Sequence, residues 1–489
     1  MKNKSFTILL IMGIVSLFLI TANCGKSEQK TDNKAAMDAA NQVLEALNKI
    51  PFGVTTTVDP ANISAEAKGD RFLVTFKNPA VTFDTSAYKS FSFGDQFKEM
   101  KIPMSFEELT YLYGPKDNYL EIVSATGFTF EMDMSKMIKL PEGTEELPAD
   151  FTMKLKMEMG KMTFKGYNIS AMLKYQGQDL LELLALFLKD NQSLESSVEN
   201  FKYDIGFTTK DKKNMSILME AEKIEGIQKS ISDLILLLYK KDAESPDFNK
   251  ALEEGNPIFD LSAKCTNLKI SVKEEGNELG GGSLGNISFA YYLKPNDEKT
   301  AFNFGSVCDL KNLSLNIPGK KEIEQMGNIQ EMGMKFALEN ISSEFGKAYF
   351  DLIKKSMEMR HSADKEQLQQ QQAAMGMQIM GAFMQSKPVI KVSLSPFKHH
   401  FGELSAVAQF QVIGMMAPVG KAEVKVMKVN DILSKLKEEN ILPPEAAAGM
   451  EQTIKQFLII DDNGDGSLTF ETKADQPGKY FVNGKEMGQ

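Results

Sequence analysis

Phe128-Thr129-Phe130-Glu131-Met132-Asp133-Met134 alternates strictly between apolar and polar residues. Successive side chains of a strand point to opposite faces, so this stretch buries one face of a sheet and wets the other. Residues 151–159 repeat the pattern, with Phe151, Met153, Leu155, Met157 and Met159 on one side. Outward from this pair, residues 71–76, 81–84, 109–113 and 119–134 are rich in β-branched and aromatic residues and read as strands. Residues 35–49 carry a helical pattern that ends before Pro51. Downstream the same grammar recurs. Residues 162–173 lead into a Leu-rich helix over 179–188, and 216–221 lead to 224–239. Residues 258–272, 287–293 and 301–317 read as three successive strands, with a Gly-rich loop over 277–285 and a turn at Pro295-Asn296-Asp297. Residues 334–345, 389–394, 404–413 and 423–429 continue the series. Two helical segments interrupt it, over 345–357 and 363–385. In the second, Met377, Met380 and Met384 recur at helical spacing and read as a packing face. The expected fold is a β-rich α+β architecture: an elongated, curved antiparallel sheet of many amphipathic strands with several packed helices.

The first residues address the chain. Lys2 and Lys4 precede residues 6–20, which carry no charge. A basic flank before a short apolar run is the pattern of a secretory signal peptide, and the run is too short for a spanning helix of roughly 20 residues. Ile20-Thr21-Ala22-Asn23-Cys24-Gly25 follows. It resembles the lipobox of bacterial lipoproteins, in which a Cys thiol receives a lipid and becomes the mature N-terminus. The usual Leu and the usual Gly or Ala are replaced by Thr21 and Asn23. The resemblance implies that Cys24 is lipidated and that the protein is held at a membrane of the bacterial cell envelope. Residues 1–23 are then the signal peptide and 24–34 a polar tether. Residues 35–443 form the repetitive β-rich body, and 444–489 a C-terminal module of one helix and a β-hairpin.

Lys plus Arg number 56 against 66 Asp plus Glu, a net charge of −10, which argues against a nucleic-acid partner. Of three cysteines, Cys265 and Cys308 remain once Cys24 carries lipid, an even pair for an oxidising compartment. Each lies six residues after a Phe. Their disulfide requires the middle of the three strands, read as the shortest, to stop short of the cysteine level, or the two outer strands to pair directly beyond its end, because alternate strands are about 9.6 Å apart and the bridge needs Cα atoms within roughly 7 Å.

The tail runs from a helix at Pro444 into Phe457-Leu-Ile-Ile-Asp-Asp-Asn-Gly-Asp-Gly-Ser-Leu-Thr-Phe-Glu471, then Gln476-Pro477-Gly478 and Lys479-Tyr-Phe-Val-Asn-Gly-Lys485. This order of helix, short strand, Gly/Asp turn and closing strands resembles the C-terminal ending of the YdgA-like family of Gram-negative envelope proteins. The resemblance covers about the last 45 residues. It implies an envelope location and an elongated β architecture, and no chemistry.

Within the tail, residues 461–472 also resemble an EF-hand calcium loop. Asp461, Asn463 and Asp465 stand at its oxygen-donating positions, Ser467 offers its carbonyl, and Gly466 stands at the bend. The loop's last ligand position is Thr472 rather than Glu, and Pro477 rules out an exiting helix of any length. The other reading of Asn-Gly and Asp-Gly is a hairpin turn. His399 and His400 are adjacent and read as surface loop. No nucleophile elbow, phosphate loop or zinc-protease motif occurs, so the expectation is a binding or scaffold protein and not an enzyme. An apolar sheet face has two uses. It holds lipid or another apolar ligand if it stays open, and it is the filled core of a structural or interaction protein if it does not.

Overall fold

The computed structural model describes residues 34–49, 53–84, 86, 101–133, 152–175, 186–189, 191–209, 212–230, 245–320, 324, 327–359, 365–413, 418–438 and 444–487. Cys24 and the signal region lie outside these residues, as do most of 179–188 and 224–239. The fold is α+β, built of open antiparallel sheet with helices packed on it. It divides into two compact units. One comprises Met1–Gln228 and Cys265–Gly281; the other comprises Lys229–Lys264 and Gly282–Gln489.

In the first unit, α1 (Lys34–Leu47) buries Ala36, Ala39, Ala40, Val43 and Leu47, the three-and-four spacing of one helix face. That helix lies against β1 (Val54–Thr57), β2 (Ile63–Lys68) and β3 (Arg71–Lys77). After β4 (Ala80–Asp84) and β5 (Lys101–Ser105), β6 (Glu108–Gly114) returns to meet it as well. Asn48 fastens the helix end to β1. Its amide donates to the Thr56 carbonyl at 2.9 Å and accepts the Thr56 N–H at 2.7 Å. The long strand β7 (Tyr119–Asp133) pairs with β6 over its first half and touches β5 near Phe130. Its other edge pairs with β8 (Met153–Lys165), which pairs in turn with β9 (Ser193–Thr208). Lys212, whose N–H donates to the Thr209 carbonyl at 3.0 Å, leads into β10 (Asn214–Lys229), beside β9. The short helix α2 (Ser170–Lys174) leans on β7. Val74, Phe76, Leu120, Leu155 and Met162 are all but fully buried at the centre.

The second unit begins with α3 (Phe248–Glu254), capped by Asp247 accepting the Lys250 N–H at 3.0 Å. Then β11 (Phe259–Glu274) and β12 (Asn277–Pro295) follow; each is long enough to contribute to both units. β13 (Phe302–Asn316) and β14 (Ile329–Ile341) lead to the helices α4 (Ser343–Met359) and α5 (Lys365–Ser386). The chain returns as β15 (Val389–His399), β16 (Gly402–Gln411) and β17 (Val419–Met427). Then come α6 (Val429–Glu438), α7 (Pro444–Phe457), β18 (Ile459–Ile460), β19 (Gly466–Thr472), β20 (Tyr480–Val482) and β21 (Lys485–Met487). Strands β13 to β17 pair each with the next, and β19 pairs with β17, β18 and β20. The strands of the tail thus belong to this sheet. Phe248, Ile258, Leu293, Phe302, Ile341 and Phe350 form a core where α3 and α4 meet the strand ends.

Three sequence expectations need correction. The Gly-rich stretch 277–285 is strand rather than loop. A side chain on Gly281 would meet the Ile270 carbonyl at 2.4 Å, and one on Gly282 the Ser314 carbonyl at 3.0 Å, so glycine here permits close backbone approach. The middle strand β12 is therefore the longest of its three at 19 residues, not the shortest. Gly285 faces Asn312 and Tyr292 covers Gly305, so β12 runs unbroken past the level of Cys308. Cys265 and Cys308 are both free thiols, partly buried, and the expected disulfide is absent from the structure. Third, the Met face of α5 is only partly packed: Met377 is 72% and Met380 53% exposed, Met384 is half-buried, and Phe383 meets Phe345 at 5.3 Å.

Candidate functional site: an open apolar sheet face

Pairing register fixes which side chains share a face. Cys308, Met334, Leu394, Ala406, Val424 and Leu468 lie directly opposite one another across β13 to β19. The next row two residues along reads Ser306, Phe336, Val392, Ala408, Ala422 and Phe470. A third reads Phe304, Leu338, Ile390, Phe410, Gly420 and Thr472, and a fourth Leu310, Met332, Phe397, Leu404, Val426 and Gly466. None of these residues is charged. Phe397 keeps this side because β15 is bulged between Leu394 and Phe397, which resets its alternation.

The intervening residues face the other way and are mostly polar, with Val307, Ala337 and the exposed Val407 among them. Lys311 bridges Glu331 at 3.0 Å, Lys391 bridges Glu339 at 2.7 Å, and Lys425 bridges Glu423 at 3.1 Å. The lysines hold the carboxyls of Glu331 and Glu423 below the usual carboxylate range, chiefly by hydrogen bonding. The sheet thus has one face made for water and one that is not.

Among the described residues, helices lie over the ends of the apolar face. At one end α3 and α4 close over Leu338 and Phe304. At the other, Val429 of α6 and Leu458 lie above Gly466, and Ile432 of α6 lies above Gly402. A side chain on Gly466 would approach Val429 to 2.8 Å, and one on Gly402 would strike Ile432 at 2.3 Å. Between these walls Met334 is 48% and Val392 46% exposed, with Phe289 and Tyr291 of β12 exposed as well. Small residues make the floor shallow along β16 and β17, at Ala406, Ala408, Ala422 and Gly420. Phe410 and Phe470 (6.2 Å), then Phe470 and Tyr480 (5.8 Å), carry the apolar surface on toward β20. The arrangement can desolvate an apolar ligand; it holds no acid–base pair.

No family model, no curated protein and no solved structure matches this chain.

The residues singled out in the sequence fall as follows. Cys308 sits at the β13 edge of the apolar floor opposite Met334, where burial and neighbouring Asp309 push its thiol pKa up. Burial alone does the same to Cys265. The 461–472 segment closes as a hairpin turn between β18 and β19, the second of its two readings. Asp461 Oδ1 accepts the N–H groups of Asn463 and Asp465, both at 2.9 Å, and Asp465 Oδ1 accepts the Lys428 N–H at 2.8 Å. Ser467 stands in the ladder between Ile459 and Lys425. Asp461 and Asp465 thus brace the turn and its junction with α6. Among the described residues no group of three His, Cys, Asp or Glu is placed to hold a metal ion. His399 ends β15, and the His399 and His400 rings lie 4.4 Å apart, packed with Phe401. No helix of the described residues is long and apolar enough to cross a membrane.

Sequence reading misses strand β9, whose Phe201, Tyr203, Ile205 and Phe207 alternate on one face opposite Met157 and Leu155 of β8. It also misses α6, although Val429, Ile432 and Leu433 carry helical spacing. Both signals are present in the residues.

Proposed function

We propose that this protein is a lipoprotein of the bacterial envelope, anchored by lipid on Cys24, that holds lipid or another apolar ligand on the open sheet face. One observation carries the reading. Four cross-strand rows without a charged residue lie on a face whose centre is half exposed. Each 100 Å² of apolar surface left in water forgoes about 2.5 kcal/mol of burial, and large contiguous patches of this kind mark binding sites. The charged rows on the reverse face supply the comparison within one sheet. The short apolar run at 6–20 and the lipobox-like Ile20–Gly25 segment support the anchor, and the YdgA-like ending supports the envelope. We read the protein as a binder, not an enzyme.

The test places charge on the floor. Met334→Lys with Val392→Asp is expected to weaken binding of an apolar fluorescent dye by about tenfold or more, the equivalent of about 1.4 kcal/mol. The far-ultraviolet circular dichroism should stay unchanged, since both residues are half exposed. Undiminished dye binding in the folded double variant would remove this face as the site. For the anchor, Cys24→Ala is expected to leave the precursor uncleaved or to release the protein from the membrane fraction. Unchanged processing and fractionation would sink the lipoprotein assignment.

A further inference from the structure

We propose that the open face takes long-chain lipids by their acyl chains alone and leaves the headgroup in water, an inference that rests on the ligand-binding reading above. The floor's inventory argues for it. Across the four rows the polar side chains are Ser306, Cys308 and Thr472, and Thr472 is spent: its hydroxyl donates to the Pro418 carbonyl at 2.6 Å and accepts the Gly420 N–H at 3.0 Å. Among the described residues nothing on the floor carries a charge to pair with a phosphate or a carboxylate. A charged headgroup drawn down onto it would lose its hydration without compensation. The lysines and glutamates of this sheet pair with one another on the reverse side.

Dimensions fit an acyl chain. From Phe304 to Leu310 the floor runs six residues along β13, about 20 Å at ~3.4 Å per residue. The chains of one leaflet fill half of a ~30 Å hydrocarbon core, or about 15 Å. From β13 to β19 there are five strand spacings, about 24 Å at ~4.8 Å each, broad enough for two chains side by side. The shallow lane over Ala406, Ala408 and Ala422 lies between Leu394 and Val392 on one flank and Leu468 and Phe470 on the other. The helices stand at the two strand ends, so the headgroup leaves away from the sheet, where Met334 and Val392 are open to water.

The chain contains no Trp, so one introduced on the floor is a unique reporter. The full chain carrying Met334→Trp, purified in detergent, is titrated with mixed micelles of lipids brominated on their acyl chains. Phosphatidylcholine, phosphatidylglycerol and phosphatidylethanolamine with identical chains are compared. Lys335→Trp, one residue on and facing the charged side, reports simple micelle collision. The proposal expects saturable quenching at position 334 with midpoints within about threefold of one another, and weak unsaturable quenching at 335. A spread beyond about tenfold, or 1.4 kcal/mol, would show headgroup recognition and overturn chain-only binding while leaving the ligand site standing. Equal quenching at both positions, or none at 334, would overturn the lipid site itself. Formation of a stable dimer that shields the indole at position 334 without lipid would assign the face to a second copy of this chain instead.

Discussion

Met334 and Phe302 belong to neighbouring strands of one sheet and meet opposite fates. Phe302 is wholly buried against Phe248, their rings edge to face at 5.3 Å, whereas Met334 is half in water. Phe302→Ala is therefore expected to cost about 3–5 kcal/mol of stability through lost burial and the cavity left behind. Met334→Ala should stay within about 0.5 kcal/mol, as for a surface position. Urea denaturation of the two variants checks the pair, and a large loss from Met334→Ala would mean that the face is packed core. At this scale the sequence is partly legible. Met334, Val392 and Phe336 show as apolar from the letters alone, but their exposure does not, because exposure depends on what lies above the sheet. Cys308 reads as a disulfide partner because parity and compartment say nothing of which strand stands between two thiols.

At the scale of the element, alternation is legible wherever it runs unbroken, as over β7. It fails where a residue leaves the extended conformation without shifting the register. Between Glu158–Lys202 and Lys161–Glu199 the β8–β9 register passes Gly160 and Asn200, and Asn200 has φ +54°. The apolar side then switches from odd to even numbers in β8, so one strand reads as two. In β9 the same switch leaves Val198 and Tyr203 on one face, and the strand escapes a search for strict alternation. The glycines of β12 and β13 mislead in another way, since turn composition can also mark a strand with a close neighbour. Gly305 is the clearest case: the Tyr292 ring lies where its side chain would be, at 2.3 Å, and Lys294 Nζ sits 4.6 Å from that ring's centroid. Gly305→Ala must push the ring away, and Tyr292→Ala must bare the glycine. Each is expected to cost about 1 kcal/mol, in the range of cross-strand pairs. The double variant should cost little more than either alone, because the two changes destroy one contact. Additive losses in thermal or urea unfolding would show that the ring does not serve the glycine.

For the molecule as a whole, the fold class is written in the sequence and the division into two units is not. The long strands β11 and β12 serve both units, so no composition break marks the boundary. The two faces of the second unit also respond to different variables. Glu331 and Glu423 titrate below unfolded carboxylates, so their lysine pairs stabilise the fold at neutral pH. That contribution is lost as pH falls through the folded-state values, and salt screens it because the groups are exposed. The apolar face has no such charge and depends on the hydrophobic effect alone.

Native mass spectrometry of the full chain, extracted from membranes in mild detergent, tests the central claim most directly, because it weighs what the face holds. The account predicts adducts with lipid masses that survive detergent removal and fall sharply in the Met334→Lys, Val392→Asp variant. Bare protein mass in the unmutated chain, or adducts equally abundant in both, would contradict it.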